Sequence, residues 1–403
     1  MSLAPKVQEE LLARGYSRRN IGRIALGAAA AIPFFHEFAL AQQADATRMR
    51  RGGGRDAGAG ADPEVVRISG NENPMGPTKQ GLEAIAKVAP LAWRYGPVGD
   101  NADFEALLAS TEDVPQDHVM SYPGSGSPLA NLMPAFTSPT RSWTMGSPGY
   151  GSGGGRGIGN KIVQVPLRAD YSHDVEAMIK TDPNAGVYYI CNPNNPTGTL
   201  TPRKDLEYIL ANKQKDAILV VDEAYVHFSG RDNMSTDMVK AGKDVVVLRT
   251  FSKIYGMAGL RAGMAYGRPD LLAQLAKFGM TANLSVATMA CAAASMKANA
   301  TIIPERIAIN KRNRELAFAQ MDKLGVSYIP SVSNFFMMSV KGMTAQQVYT
   351  AMASKKIILG GANRWPVWPQ QIRVTVGSYE EMGKFNAALA QVVKEGPQTQ
   401  SKA

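Results

Sequence analysis

From residue 117 onward, short apolar runs alternate with stretches of helical periodicity. The runs are "HVMSY", "SWTM", "KIVQVPL", "GVYYIC", "AILVVDEAY", "VVVLRT" and "RAGMAYG". Most are apolar at consecutive rather than alternate positions, which predicts strands buried on both faces. Helical spacing over 125–137 and 202–212 separates some of them. The alternation predicts an α/β fold, a mostly parallel seven-stranded sheet between helices. Ligands of such sheets gather at the carboxyl ends of the strands.

Past about residue 283 the pattern changes. A long helical segment near 301–324 leads to "SNFFMMSV", a short helix, "IRVTVGS" and a terminal helix. This predicts a smaller α+β domain over 296–395, joined by the segment 65–95 and followed by a tail, 396–403. The large domain is then 96–295.

The beginning of the chain reads differently. Arg18 and Arg19 precede an apolar run from Ile24 to Phe35, and Ala39-Leu40-Ala41 follows as a small-x-small pattern. Residues 1–41 resemble a bacterial twin-arginine export signal. That resemblance implies the twin-arginine export machinery as a partner, cleavage after Ala41 and a periplasmic location. The competing reading is an ordinary amphipathic helix. A stable membrane anchor is not expected, because the run is shorter than the ~20 residues a bilayer requires. Residues 42–64, Gly/Arg/Asp-rich over 48–64, have little to bury and read as a flexible linker.

Composition narrows the function classes. The chain has 403 residues, 45% hydrophobic and 19% charged, as in an ordinary soluble protein. The formal net charge is +10, and five basic against three acidic residues in the first 41 account for +2 of it. A basic body attracts anions. No zinc spacing and no aromatic-studded basic motif points to nucleic acid. Two cysteines, Cys191 and Cys291, make no disulfide framework and read as small core residues. A bridge between them stays open. His118 and His173 have no metal-ligand partners at useful spacing, so no metal is expected, and His227 reads as packing beside Tyr225.

Five local signals carry chemistry. "GSGS" (124–127) lies between a strand and a helix, where backbone N–H groups can hold phosphate. "NPNNPTG" (192–198) is a rigid turn able to fix the Asn195 amide. Asp222, in "VVDEAY", ends an apolar run and needs a cationic partner there. "TFSK" supplies the hydroxyls of Thr250 and Ser252 beside the amine of Lys253, and Arg261 follows. Hydroxyls, helix-terminal N–H groups and a guanidinium together make a dianion site.

These motifs, with "SGNENPMGP", "RYG", "DEAYVHF" and "IRVTVGS", resemble the fold-type I pyridoxal-phosphate aminotransferases, and most of all their histidinol-phosphate aminotransferase branch. The likeness spans most of residues 65–395. It implies a two-domain enzyme, usually a homodimer, that moves an amino group between an amino acid and a 2-oxo acid with ping-pong kinetics. Lys253 would hold pyridoxal 5'-phosphate covalently and act as general base and acid. Asp222 would pair with the ring nitrogen, and Tyr225 and Asn195 with the phenolic oxygen. Ser125, Gly126, Thr250, Ser252 and Arg261 would hold the phosphate, and Tyr150 would stack on the ring. Tyr95 would reach the phosphate of the partner subunit's cofactor. Arg373 would take the substrate carboxylate, supported by Asn334.

The chain departs from that pattern in two places. The histidinol-phosphate enzymes carry an arginine after the "GIIL"-type strand, whereas this chain has Gly360 and Gly361 in "KIILGGANRWPVWP". Arg364 lies nearby but out of register, and Trp365 and Trp368 either line a substrate pocket or pack in the core. Gly149, Gly151 and Gly154 satisfy G-x-G-x-x-G, but the glycine-rich stretch after Tyr150 disfavours the helix that a dinucleotide site requires. Two alternatives share the scaffold: an amino acid decarboxylase or C–S lyase, and a non-catalytic ligand-binding protein.

Overall fold

The computed structural model describes residues 3–30, 64–93, 101–151, 157–279, 284–362 and 364–397. Twelve strands lie among them: β1 (Val66–Ile68), β2 (Val119–Tyr122), β3 (Ser142–Ser147), β4 (Ile162–Pro166), β5 (Ala185–Cys191), β6 (Ile218–Asp222), β7 (Val245–Thr250), β8 (Gly263–Gly267), β9 (Ser327–Tyr328), β10 (Phe335–Ser339), β11 (Ile357–Leu359) and β12 (Ile372–Thr375). The central sheet has the order β2-β8-β7-β6-β5-β3-β4. Only β8 runs against its neighbours β2 and β7. The other four junctions are parallel, so β2, β3, β4, β5, β6 and β7 all end at the same edge.

Every residue of β5, β6, β7 and β8 is buried. The pleat sends alternate side chains to opposite faces. Tyr188, Ile190, Leu219, Val221, Val245 and Val247 join one core, with Phe104, Leu108 and Ile209 from helices. Val187, Tyr189, Ile218, Val220, Val246 and Leu248 join a second core, with Leu132, Leu271 and Leu275. Two covered faces explain the unbroken apolar runs.

The C-terminal part forms a separate core of Val66, Ile68, Phe336, Met338, Ile372, Val374, Phe385 and Leu389. Here β1 pairs with β11 in parallel, and β10 lies between β12 and β9 in an antiparallel sheet. Residues 66–68 thus complete a sheet with a strand almost three hundred positions away. The helix Asn299–Leu324 ends at Gly325, whose φ of 64° suits the left-handed cap.

The N-terminal segment folds as two helices, α1 (Pro5–Ala13) and α2 (Arg18–Ala30). Leu11, Tyr16, Ile21 and Ile24 are buried against the second core of the large sheet. Residues 31–63 lie outside the described residues, and with them Ala39-Leu40-Ala41 and nearly all of the 42–64 stretch. Both cysteines are free and buried.

Candidate active site

The carboxyl edge of the central sheet gathers the chemistry. Asp222 is the last residue of β6 and Thr250 the last of β7. Asn195 lies in the turn after β5, Tyr150 in the loop after β3 and Ser125 in the loop after β2. The smaller domain faces this edge with Arg373 on β12 and Asn71 just after β1.

Asp222 is buried and makes no ion pair among the described residues. Its Oδ2 accepts the Tyr189 hydroxyl at 2.8 Å, and its Oδ1 accepts the Ala224 N–H at 3.2 Å. Burial raises its pKa, while the Tyr189 hydroxyl, the Ala224 N–H and the nearby Lys253 charge oppose that rise. Tyr189 was not among the residues singled out from the sequence. In "GVYYIC" it reads as one more apolar position.

The Lys253 amine donates to the Asn71 carbonyl at 3.1 Å and lies 5.4 Å from the Tyr225 ring centroid. Burial first, and the Arg373 charge second, push its pKa down to about 8. The Tyr225 hydroxyl accepts from Asn71 Nδ2 at 3.1 Å and from Asn195 Nδ2 at 3.5 Å. Burial pushes the Tyr225 phenol up to about 12, so it stays protonated and able to donate. Asn71 therefore touches both Lys253 and Tyr225, a role that its motif "SGNEN" did not reveal.

A second cluster lies beside Lys253. Thr250 Oγ1 donates to Ser252 Oγ at 2.9 Å, and Arg261 Nη1 reaches Ser252 Oγ at 3.4 Å. Arg261 has a left-handed backbone, φ 59°, unusual for a residue with a side chain. Gly124 has φ 84°, and a Cβ there would come within 2.3 Å of Arg261 Nη2. A Cβ on Gly263 would come within 2.4 Å of the Ser125 nitrogen. Two glycines thus let the guanidinium and the strand approach the N-terminus of the helix Gly126–Phe136. The result is a cup of N–H groups, hydroxyls and a cation, suited to a phosphate.

Behind the cup, Arg249 is buried between Glu223 at 2.8 Å and Glu112 at 2.6 Å. This network ties the end of β6 to the end of β7 directly beside Asp222 and Thr250.

Arg373 is also buried, yet makes no ion pair among the described residues. It donates to Asn195 Oδ1 at 2.9 Å and to the Ser69 carbonyl at 2.8 Å, and its Nε has no partner. Burial, then the nearby Arg364, push its pKa down to about 9. Its guanidinium lies 5.6 Å from the Trp365 ring, and that of Arg364 lies 5.5 Å from the same ring. Trp365 therefore borders the site while packing on Ile329 and Met337. Trp368 instead packs edge-on to Tyr171.

Two expectations need correction or explanation. Asn334 bonds the chain after β1 and not the Arg373 guanidinium among the described residues. Its amide donates to the carbonyls of Asn71 and Glu72, at 3.1 and 3.3 Å, in the segment that follows β1. Gly360 is pressed onto the arginine strand: a Cβ there would sit 2.9 Å from the Arg373 carbonyl oxygen and 3.3 Å from its Cβ. A side chain at 360 would have to displace Arg373 itself.

Other residues fall outside the site. His173 bonds Thr201 at 2.8 Å and His227 packs on Tyr255. Burial lowers their pKa values to about 4 and about 3. His118 pairs with Asp117 at the surface. Among the described residues no cluster could hold a metal ion. Tyr95 and Gly154 lie outside the described residues.

A buried carboxylate without a cation, a depressed lysine and a phosphate cup fit pyridoxal 5'-phosphate, whose ring nitrogen, aldehyde and phosphate match them in turn. Arg373 is left over for a second anion. Comparison with known proteins agrees. Residues 63–389 match the family model "Aminotransferase class I and II". The histidinol-phosphate aminotransferase of Symbiobacterium thermophilum is 31% identical over 337 residues, covering 83% of this chain and 92% of that protein. That of Moorella thermoacetica is 26% identical over 336 residues, covering 82% and 86%. The crystal structure of the Sinorhizobium meliloti histidinol-phosphate aminotransferase in complex with pyridoxal-5'-phosphate superposes with a TM-score of 0.73 at 25% identity, covering 82% of this chain and 92% of that one.

Proposed function

The chain belongs to the class I and II aminotransferases, and from that premise we propose that its donor is an amino acid held by its α-carboxylate on Arg373. It is a transaminase that depends on pyridoxal 5'-phosphate. When bound, the cofactor supplies a protonated ring that draws electrons from the substrate Cα. Asp222 would keep the ring nitrogen protonated. Tyr225 and Asn195 would hold the phenolic oxygen, while Ser125, Gly126, Thr250, Ser252 and Arg261 would hold the phosphate. Tyr150 would stack on the ring. Lys253 would hold the cofactor, and its amine would take the proton from the substrate Cα and return one on the next step. The amino group passes from donor to acceptor in two half-reactions, so kinetics are ping-pong.

One observation carries the substrate reading. Arg373 is a buried guanidinium with an unpaired Nε and no acidic partner among the described residues. A bidentate carboxylate neutralises it. The family arginine for histidinol phosphate has no room at Gly360, which supports a donor other than histidinol phosphate. Mixing the loaded enzyme with glutamate, aromatic amino acids and histidinol phosphate, and following the cofactor absorbance, tests this. α-Amino acids should convert it. Conversion by histidinol phosphate alone would overturn the reading.

We further propose export by the twin-arginine route to the periplasm with cleavage after Ala41, and a homodimer in which Tyr95 reaches the partner's cofactor phosphate. The exposed apolar side chains of Leu82, Leu91 and Trp93 support an interface near that segment. Crosslinking and fractionation test the two proposals.

A further inference from the structure

The arginine pair of the export reading sits on a built platform. Leu11, Tyr16, Ile21 and Ile24 bury their side chains in the core that also holds Leu132, Met133, Leu271 and Phe278. Polar contacts fix the orientation. The Tyr16 hydroxyl lies 2.8 Å from the Thr137 carbonyl and 2.7 Å from Asn160 Oδ1. Arg14 donates to the same Thr137 carbonyl, and Arg23 donates to the Gly157 carbonyl at 2.9 Å. A Cβ on Gly159 would come within 2.3 Å of Asn20 Nδ2, so the body carries a glycine where α2 approaches it.

Thr137 is the C-cap of the helix Gly126–Phe136. A phenol and a guanidinium on its carbonyl complement the negative end of that helix. The opposite end of the same helix builds the phosphate cup. The hairpin α1–α2 therefore grips a surface that exists only when the cofactor domain is folded.

The basic residues divide. Arg14 and Arg23 bond the body, whereas Arg18 and Arg19 are exposed in the first turn of α2. Cations at a helix N-terminus face the positive end of the dipole, which is unfavourable. Helix stability does not explain their position, but display to an acidic surface does.

We infer that α1–α2 is a docked cap that presents Arg18 and Arg19 on the surface of the folded enzyme to an acidic protein partner. The partner half of this inference rests on the export reading; the docking half does not. A consequence is that cutting the chain between 42 and 62 leaves the cap bound without a covalent link.

The test uses the full-length holoenzyme with a protease site engineered between 42 and 62. After cleavage, the N-terminal fragment should co-elute one-to-one with the body in size exclusion, and Ile21→Asp with Tyr16→Phe should release it. In cells, Arg18→Gln with Arg19→Gln should leave the cap bound and block export. A fragment that separates from the intact wild-type body overturns the cap and leaves the export reading standing. A bound fragment combined with unchanged export of the double glutamine variant overturns the display and the export reading together.

Discussion

Tyr189→Phe removes one hydroxyl and leaves the ring in place, 5.1 Å from Trp143. That hydroxyl is the donor on Asp222 Oδ2 at 2.8 Å, in a site where burial already favours the protonated carboxyl. A hydrogen bond to a charged group contributes about 1.5–3 kcal/mol. Its loss falls on the ionised form of Asp222 alone. The sign follows from linkage. Burial raises the Asp222 pKa, so the ionised form that pairs with the cofactor ring is available above that pKa and lost as pH falls through it. Removing the hydroxyl moves this window to higher pH. Where the variant carboxyl is protonated and the wild-type one is not, cofactor binding must also ionise it. At about 1.4 kcal/mol per factor of ten, the ratio of cofactor Kd values, variant over wild type, then reaches roughly 10- to 150-fold. At high pH both carboxyls are ionised and the ratio returns to about one. Titrating the two apoenzymes with pyridoxal phosphate across pH measures this ratio, in which the cofactor's own titrations cancel. A ratio near one at every pH would refute the reasoning. A loss independent of pH would place the effect in packing instead.

Four further outcomes are expected. Reloading of apoenzyme with cofactor requires the neutral Lys253 amine, so its rate should climb with pH up to about 8 and level off above, since burial pushes that amine down to about 8; Lys253→Ala should abolish turnover, and a flat pH profile in the wild type would contradict the assigned role. Arg373→Lys keeps a charge but loses the fork, so KM for amino acid donors should rise by about 30-fold or more, from at least ~2 kcal/mol of buried pairing, with kcat changed less. Gly360→Arg should lower Tm and raise the same KM by displacing Arg373; a gain of activity on histidinol phosphate would show that the glycine is a simple replacement. Arg249→Met leaves Glu223 and Glu112 buried without their cation and should lower stability by about 3–5 kcal/mol in urea unfolding, against less than 1 if the network is dispensable.

The large sheet was legible because both of its faces are covered. Its central strands β5 and β6 are apolar almost throughout, and polar residues that break runs at strand carboxyl ends, Asp222 and Thr250 among them, are groups of the site. Signals that act within a few residues of a strand end survive in the sequence. Tyr189 did not, since nothing local distinguishes a tyrosine that fills a core from one whose hydroxyl reaches the next strand. Register decides it: Tyr189 lies opposite Val220 on β6, two residues before Asp222 on the same face. Asn71 was hidden for a similar reason. Its contacts with Lys253 and Tyr225 join positions more than 150 apart, so spacing carries no trace of them.

The same logic bears on substrate choice. An arginine missing from a motif looks, in sequence, like a simple loss of one contact. In three dimensions Gly360 and Arg373 share one volume: the glycine nitrogen donates to the Arg373 carbonyl at 2.9 Å, and no Cβ fits between them. The position that would carry the family's second cation is therefore coupled to the position of the first. Arg364, five residues past the end of β11, sets a cation 5.5 Å from the Trp365 ring that Arg373 also borders. An arginine at 360 would therefore have to shift β12 relative to β11, so a substitution at 360 is not a change of one contact alone. On the proposed reading, the packing of β11 against β12, and not only the inventory of charged residues, weighs on which donor the site accepts.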